Sequence, residues 1–111
     1  MEKDRMFSNL KLLYGSEMTG RIKWEDENTG KVTVTADLHM MTKHEARQFI
    51  KNVIALLYML PEFSLDLIHG YNGGTSLKEM IYCEELSPRI KEIHSPCWNP
   101  GESILEIASL S

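Results

Sequence analysis

The stretch from residue 32 to residue 69 limits the possible folds more than any other part of the chain. It opens with residues 32–39, where apolar and polar side chains alternate as in a strand with one buried face. Residues 42–60 follow with a helical pattern, and residues 64–69 are a short apolar run that is typical of a buried strand. Strand, helix and strand at these lengths predict a βαβ unit with parallel strands and a right-handed crossover.

The helix of this unit carries the clearest boundary signals in the chain. Thr42 and Glu45 match a capping box, in which each side chain accepts a hydrogen bond from the other's backbone N–H at the helix start. Pro61 marks the end of the helical pattern. The apolar stripe consists of Ala46, Phe49, Ile50, Val53, Ile54 and Leu57. This pattern predicts an amphipathic helix whose apolar side packs on the sheet.

The remaining elements complete a small α/β fold. The sequence predicts a hairpin strand at 19–24, a second helix at 75–85 and two further strands at 89–94 and 104–108. The order of elements predicts a two-layer α/β sandwich. Its βαβαββ core is expected to contain a mixed four-stranded sheet, to which the N-terminal hairpin adds a strand.

Length and composition indicate how many domains the chain forms and in which cellular compartment it works. The 111 residues suffice for one compact domain, which we place at 17–111, preceded by an N-terminal segment at 1–16 that is flexible or a short helix. No apolar stretch has the length of a membrane span, and the N-terminus lacks the apolar core of a secretory signal. Cys83 and Cys97 match no disulfide or zinc pattern. These features predict a cytoplasmic protein with free thiols and no membrane partner.

The formal net charge of −4 restricts how the chain can bind nucleic acid. Proteins that rely on non-specific phosphate contacts usually carry a basic surplus. Any contact with DNA or RNA is therefore expected to come from a local patch rather than from the charge of the whole protein.

Two histidines end the two strands of the βαβ unit. His39 and His69 are each followed by the start of a helix, and ligands of open α/β sheets bind outside the carboxyl ends of the strands. Asp37 lies two residues before His39 on the same strand face, where it can orient an imidazole. We predict that Asp37, His39 and His69 belong to one candidate functional site at this edge of the sheet. The alternative for each histidine is a loop anchor that is hydrogen bonded to the backbone.

The loop at 70–74 and the basic residues of both helices are candidate phosphate contacts. Glycines let backbone amides approach a ligand closely, and helix N-termini attract anions. Basic residues recur every four positions along the first helix, and one opens the second. The alternatives are a tight connection and a solvated helix face. The predicted phosphate-binding residues are Gly70, Gly73, Gly74, Lys43, Arg47, Lys51 and Lys78.

The sequence predicts no cofactor. Asp37, His39 and His69 are residue types that bind divalent metals, but they lack the short-range spacing of a metal motif. A metal-dependent form of the site remains an alternative.

Four segments taken in order resemble a known family. They are DLH at 37–39, T-x-x-E-A at 42–46, IHGYNGG at 68–74 followed by Leu77 and Lys78, and NPGESILEI at 99–107. They are similar to the LDLHG, HGxGTGxLR and NxGxTxV motifs of the Smr (small MutS-related) domain, and the resemblance covers about residues 32–108. Met40 stands where the family has glycine, and the second motif is one residue longer than in the family.

The resemblance implies a single α/β sandwich similar to the C-terminal domain of a translation initiation factor. It implies a nucleic-acid-binding protein that acts as a DNA-nicking or RNA-cleaving endonuclease linked to DNA repair and recombination. By position, Asp37 and His39 match the first motif, and His69, Gly70 and Gly73 match the second. The resemblance therefore implies that Asp37, His39 and His69 are the candidate catalytic residues, one of which would act as general base or acid. The alternative is a non-catalytic module that binds nucleic acid or a protein through the same edge of the sheet.

Overall fold

The structure is a computed structural model that describes residues 2–15, 20–26, 32–58, 60–70, 76–96 and 101–109. The elements in chain order are α1 (Glu2–Tyr14), β1 (Ile22–Asp26), β2 (Val32–Asp37), α2 (Lys43–Leu56), β3 (Phe63–Ile68), α3 (Ser76–Cys83), β4 (Ile90–His94) and β5 (Glu102–Ile107). The α/β class and the βαβ order of β2, α2 and β3 are confirmed. None of the described helices has the length and apolar composition that crossing a bilayer requires.

The strands form one mixed sheet in the order β1-β2-β3-β5-β4. Strands β2 and β3 are parallel, and the other neighbouring pairs are antiparallel. The prediction of a four-stranded core sheet with an added hairpin strand differs in detail from the structure, which has one sheet of five strands. The hairpin strand β1 pairs with β2 from Ile22–Ala36 to Asp26–Val32, so it belongs to the same sheet.

The start of α2 has the predicted capping box. The backbone N–H of Glu45 donates to Thr42 Oγ1 at 3.1 Å, and the N–H of Thr42 donates to Glu45 Oε1 at 3.0 Å. The hydrogen bonds from Thr42 lower the pKa of the Glu45 carboxyl. The helix ends at Leu56, well before Pro61, and Leu57 forms its C-cap. The buried residues of α2 are Ala46, Phe49, Ile50, Val53 and Ile54, as the stripe predicts.

The two faces of the sheet have different environments. The helix face consists of Val32, Val34 and Ala36 of β2, Phe63, Leu65 and Leu67 of β3, and Ser103, Leu105 and Ile107 of β5, all of which are buried. Its apolar side chains form one core cluster with buried residues of all three helices. The polar face carries the alternate residues, including Thr33, Thr35, Asp37, Asp66 and Glu102, which are half-buried. The choice of face therefore decides whether a strand residue enters the core.

Arg89, which precedes β4, ties the far end of α2 to the sheet. Its guanidinium donates to the carbonyls of Leu57, Leu60, Pro61 and Ala108 at 2.8–3.1 Å. The side chain is buried, which lowers its pKa, and its guanidinium carbon lies 5.4 Å from the centre of the Phe63 ring. It supplies donors to three carbonyls of the segment that follows α2 and to the carbonyl of Ala108, which follows β5.

Candidate functional site

The carboxyl ends of β2 and β3 meet at one edge of the sheet. Asp37 and Ile68 are the last paired residues of the two parallel strands, and the N–H of Leu38 continues the pairing by donating to the Ile68 carbonyl at 2.9 Å. The amino end of β5 lies at the same edge, because Glu102 pairs with Ile68. Helices α2 and α3 both begin after these strand ends. We call this region the carboxyl edge.

The chain leaves β2 through a corner whose backbone is fixed by two side chains. Asp37 Oδ1 accepts the backbone N–H of His39 at 2.8 Å. Arg21 Nη1 donates to the carbonyl of His39 at 2.5 Å and to that of Asp37 at 3.2 Å. The next residue, Met40, has a φ of 69° and is 83% exposed. A left-handed conformation costs a non-glycine residue about 1–2 kcal/mol. The His39 side chain is exposed.

The chain leaves β3 through a corner that holds its histidine much more tightly. The N–H groups of His69 and Gly70 both donate to the Gly101 carbonyl at 2.9 Å. The His69 ring is buried, with Nδ1 at 2.8 Å from the Gly70 carbonyl and Nε2 at 2.9 Å from Ser103 Oγ. A carbonyl only accepts, so Nδ1 donates to Gly70, and Nε2 pairs with the Ser103 hydroxyl, which can donate or accept. Both ring nitrogens are therefore engaged.

The three predicted catalytic residues share the carboxyl edge, but their side chains take different directions. Asp37 is on the polar face, paired with Ile68, whereas the His69 ring contacts Ser103 on the helix face. The Asp37 carboxylate accepts a hydrogen bond from the backbone of His39 rather than from an imidazole. The structure thus brings Asp37 and His39 together through the backbone, and it places the His69 ring in the core.

The predicted phosphate contacts of the glycine loop are described in part. Gly70 has a φ of 74°, a conformation that favours glycine, and Gly73 and Gly74 lie outside the described residues. Lys43 is the first residue of α2 and is exposed, and Lys78 lies in the first turn of α3 and is half-buried. Both lysines therefore lie at the helix ends that begin at the carboxyl edge.

The basic row along α2 does not form one continuous patch. Arg47 is engaged with Glu84 through Nε–Oε1 and Nη2–Oε2 hydrogen bonds of 2.6 and 2.9 Å. This pairing raises the pKa of Arg47 and lowers that of Glu84. Lys51 is exposed further along α2, where it lines a shallow pocket of about 290 Å³ with Tyr58. Only Lys43 of this row lies at the start of the helix.

Asp66 on the polar face is an ionisable residue that the sequence analysis missed. Burial is the largest cause that raises the pKa of its carboxyl to about 7, followed by a hydrogen bond to the Glu102 side chain and by the charges of Glu102 and Glu25. Its Oδ1 is buried without a hydrogen-bond partner among the described residues. An aspartate within the apolar run SLDLI was the available signal.

Within the described part of the chain, no three His, Cys, Asp or Glu side chains are grouped so that they could hold a metal ion. Asp66 and Glu102 form a pair on the polar face rather than a set of three. Neighbouring polar side chains are engaged in their own contacts: Glu106 accepts from Ser64 Oγ at 2.6 Å and lies 3.2 Å from His94 Nε2.

Comparisons with known proteins give no match. A scan against models of protein families, a search of curated proteins and a search of solved structures each returned none. The resemblance to the Smr domain therefore stays a prediction from the motifs.

Proposed function

We propose that this chain is a two-layer, Smr-type protein that binds DNA or RNA at the carboxyl edge. The observation that carries the proposal is the parallel pairing that ends at Asp37 and Ile68. It directs the starts of α2 and α3 to the same edge, where the positive ends of the helix dipoles favour phosphate. Lys43 and Lys78 add positive charge in the first turns of these helices.

Cleavage of a phosphodiester bond at this edge would depend on His39. A general base or acid needs a ring nitrogen that reaches the substrate, and His39 is exposed whereas both nitrogens of His69 are engaged in the core. In this DNA-nicking or RNA-cleaving form, His39 exchanges the proton. Asp37 fixes the backbone that carries His39, and His69 anchors the start of the glycine loop.

The second candidate is a non-catalytic module that uses the same edge to bind nucleic acid or a protein. It is favoured by the engagement of Asp37 and His69, because two of the three catalytic candidates serve the corners themselves. The two candidates share the site; they differ in whether His39 performs chemistry and in whether the partner can be a protein.

Anisotropy titrations with labelled DNA and RNA oligonucleotides test the binding proposal. The double variant Lys43→Glu/Lys78→Glu should weaken binding at least about tenfold and flatten its salt dependence, because it reverses two charges that face phosphate. Lys91→Glu is a control for one charge reversal away from the site, because Lys91 lies 3.5 Å from Glu62 and follows Ile90, which pairs with Ile107 at the opposite edge of the sheet. Absence of binding, or an equal loss in the control, contradicts the proposal.

A plasmid-nicking assay and an RNA-cleavage assay separate the two candidates. The endonuclease form requires that wild type cleaves and that His39→Ala does not cleave even at protein concentrations at which the variant is fully bound to the substrate. Binding without cleavage by wild type supports the non-catalytic module. Cleavage that survives His39→Ala shows that His39 does not exchange the proton.

A further inference from the structure

Met40 combines two properties that a merely structural turn does not need. It adopts a left-handed backbone conformation that favours glycine, with a φ of 69°, and its apolar side chain is 83% exposed. The equivalent place after His69 is occupied by Gly70, with a φ of 74°. A strained backbone that presents an exposed side chain is a feature that clusters at binding sites.

The charges around this corner limit what phosphate contacts alone can contribute. The chain has a net charge of −4, and Arg47 is engaged with Glu84. Among the basic residues predicted to bind phosphate, this leaves Lys43 and Lys78 in the first turns that start at the carboxyl edge. Few phosphate contacts give a weak electrostatic contribution, so a nucleic acid bound here needs contacts with its bases as well.

The side chains at the β2 corner suit the face of a base. His39 and Met40 are adjacent and both exposed. Histidine rings stack on unstacked bases, and the flexible thioether of methionine packs favourably against aromatic rings. The faces of bases in a duplex are covered by their stacked neighbours, and uncovering them costs unstacking energy, so contact with a base face is favoured where a strand is unpaired.

We propose that the His39–Met40 corner contacts an unpaired base, so that the carboxyl edge takes single-stranded segments in preference to duplex. This inference rests on the proposed nucleic-acid function and names the class of substrate. Met40 packs on the face of the base, and the lysines at the helix starts contact the adjoining phosphates.

Titrations of the full chain with a labelled single strand of about 12 nucleotides and with the duplex of the same sequence test the inference. Wild type should bind the single strand at least about fivefold more tightly. Met40→Ala should weaken single-strand binding about fivefold while leaving duplex binding and the salt dependence unchanged, because it removes no charge. Met40→Leu should retain most of the affinity, because it keeps an apolar side chain of similar size.

Leu12→Ala is the matched control, because Leu12 is 85% exposed on α1 and is equally apolar. It should change neither affinity. Equal affinity of wild type for the two probes, or an equal loss for both probes in Met40→Ala, overturns the single-strand inference and leaves the proposed function standing. Failure to bind either probe overturns the proposed function and this inference with it.

Discussion

The two corners at the carboxyl edge have the same local sequence pattern and opposite environments. Each follows a parallel strand, contains a histidine, continues with a left-handed residue and precedes a helix. At the β3 corner, the His69 ring is buried and hydrogen bonded through both nitrogens. At the β2 corner, hydrogen bonds hold the backbone on either side of His39, and the side chain is exposed. The same pattern therefore gives a histidine that anchors the β3 corner and a histidine that is exposed to ligands at the β2 corner.

The difference between the corners arises from the phase of the two strands, that is, from whether the even-numbered or the odd-numbered residues of a strand face the core. In β2 the even-numbered residues Val34 and Ala36 face the core, whereas in β3 the odd-numbered residues Leu65 and Leu67 do. Side chains alternate between faces along a strand, so residue 69 continues the buried series of β3. Asp37 falls on the polar face, and the turn at residues 39 and 40 leads His39 to the surface. Strand phase thus decides which histidine can meet a ligand.

The largest expected effect that separates the corners is on the stability of the fold. His69→Ala should lower the free energy of unfolding by about 3 kcal/mol, because it leaves the Ser103 hydroxyl and the Gly70 carbonyl without their partner and opens a cavity. His39→Ala should change it by less than about 0.5 kcal/mol. Urea unfolding followed by circular dichroism measures both variants. Similar losses of stability in the two variants would contradict the distinction between His69 as an anchor and His39 as an exposed side chain.

A smaller effect on stability is expected from Asp66, which lies on the polar face of β3. It contrasts with His69, which directly follows β3 and is buried on the helix face. The folded-state pKa of Asp66 is about 7, above its ordinary value of 3.8, so the folded protein binds more protons than the unfolded chain between these values. The contribution of Asp66 to stability is therefore fully present below about pH 4 and is lost as the pH rises to about 7. Solvent screening of this partly exposed group limits the loss to about 1–2 kcal/mol.

Urea midpoints of wild type and Asp66→Asn at about pH 5 and about pH 8 test this linkage. Because Asn does not titrate, the variant should lose less stability than wild type between the two pH values. The difference between the two proteins isolates the Asp66–Glu102 pair from the other titrating groups. An identical pH dependence in both would mean that Asp66 ionises with an ordinary pKa in the folded state.

The smallest effects come from exchanging the left-handed residues of the corners. Gly70→Ala should destabilise by about 1 kcal/mol, because the new side chain meets no atom within 4 Å and adds only backbone strain. Met40→Gly should stabilise by about 0.5 kcal/mol, because relief of strain exceeds the added entropy of the unfolded chain. Thermal and urea unfolding measure both changes. Effects of the same sign would show that the two corners differ in backbone conformation.

Much of the architecture was predictable because its signals are local. The alternation of residues 32–37, the Thr42–Glu45 capping box and the apolar stripe of α2 each follow from the period of a single element, and the structure contains all three. The sheet was predicted in less detail, as four strands with an added hairpin strand, because the pairing of β1 with β2 within one five-stranded sheet depends on contacts between segments rather than on the pattern within one. Arg89 was missed for the same reason, since its carbonyl partners lie at the ends of other elements.

The sequence by itself determined the βαβ unit and the placement of both histidine corners at one edge, because parallel strands joined by a helix must end on the same side. Only the tertiary structure decided what each side chain does there. The engagement of Arg47 by Glu84, the burial of His69 against Ser103 and the exposure of Met40 depend on residues distant in the chain and on strand phase. A periodic pattern records which face a residue occupies, and packing between elements decides whether that residue remains available to a ligand.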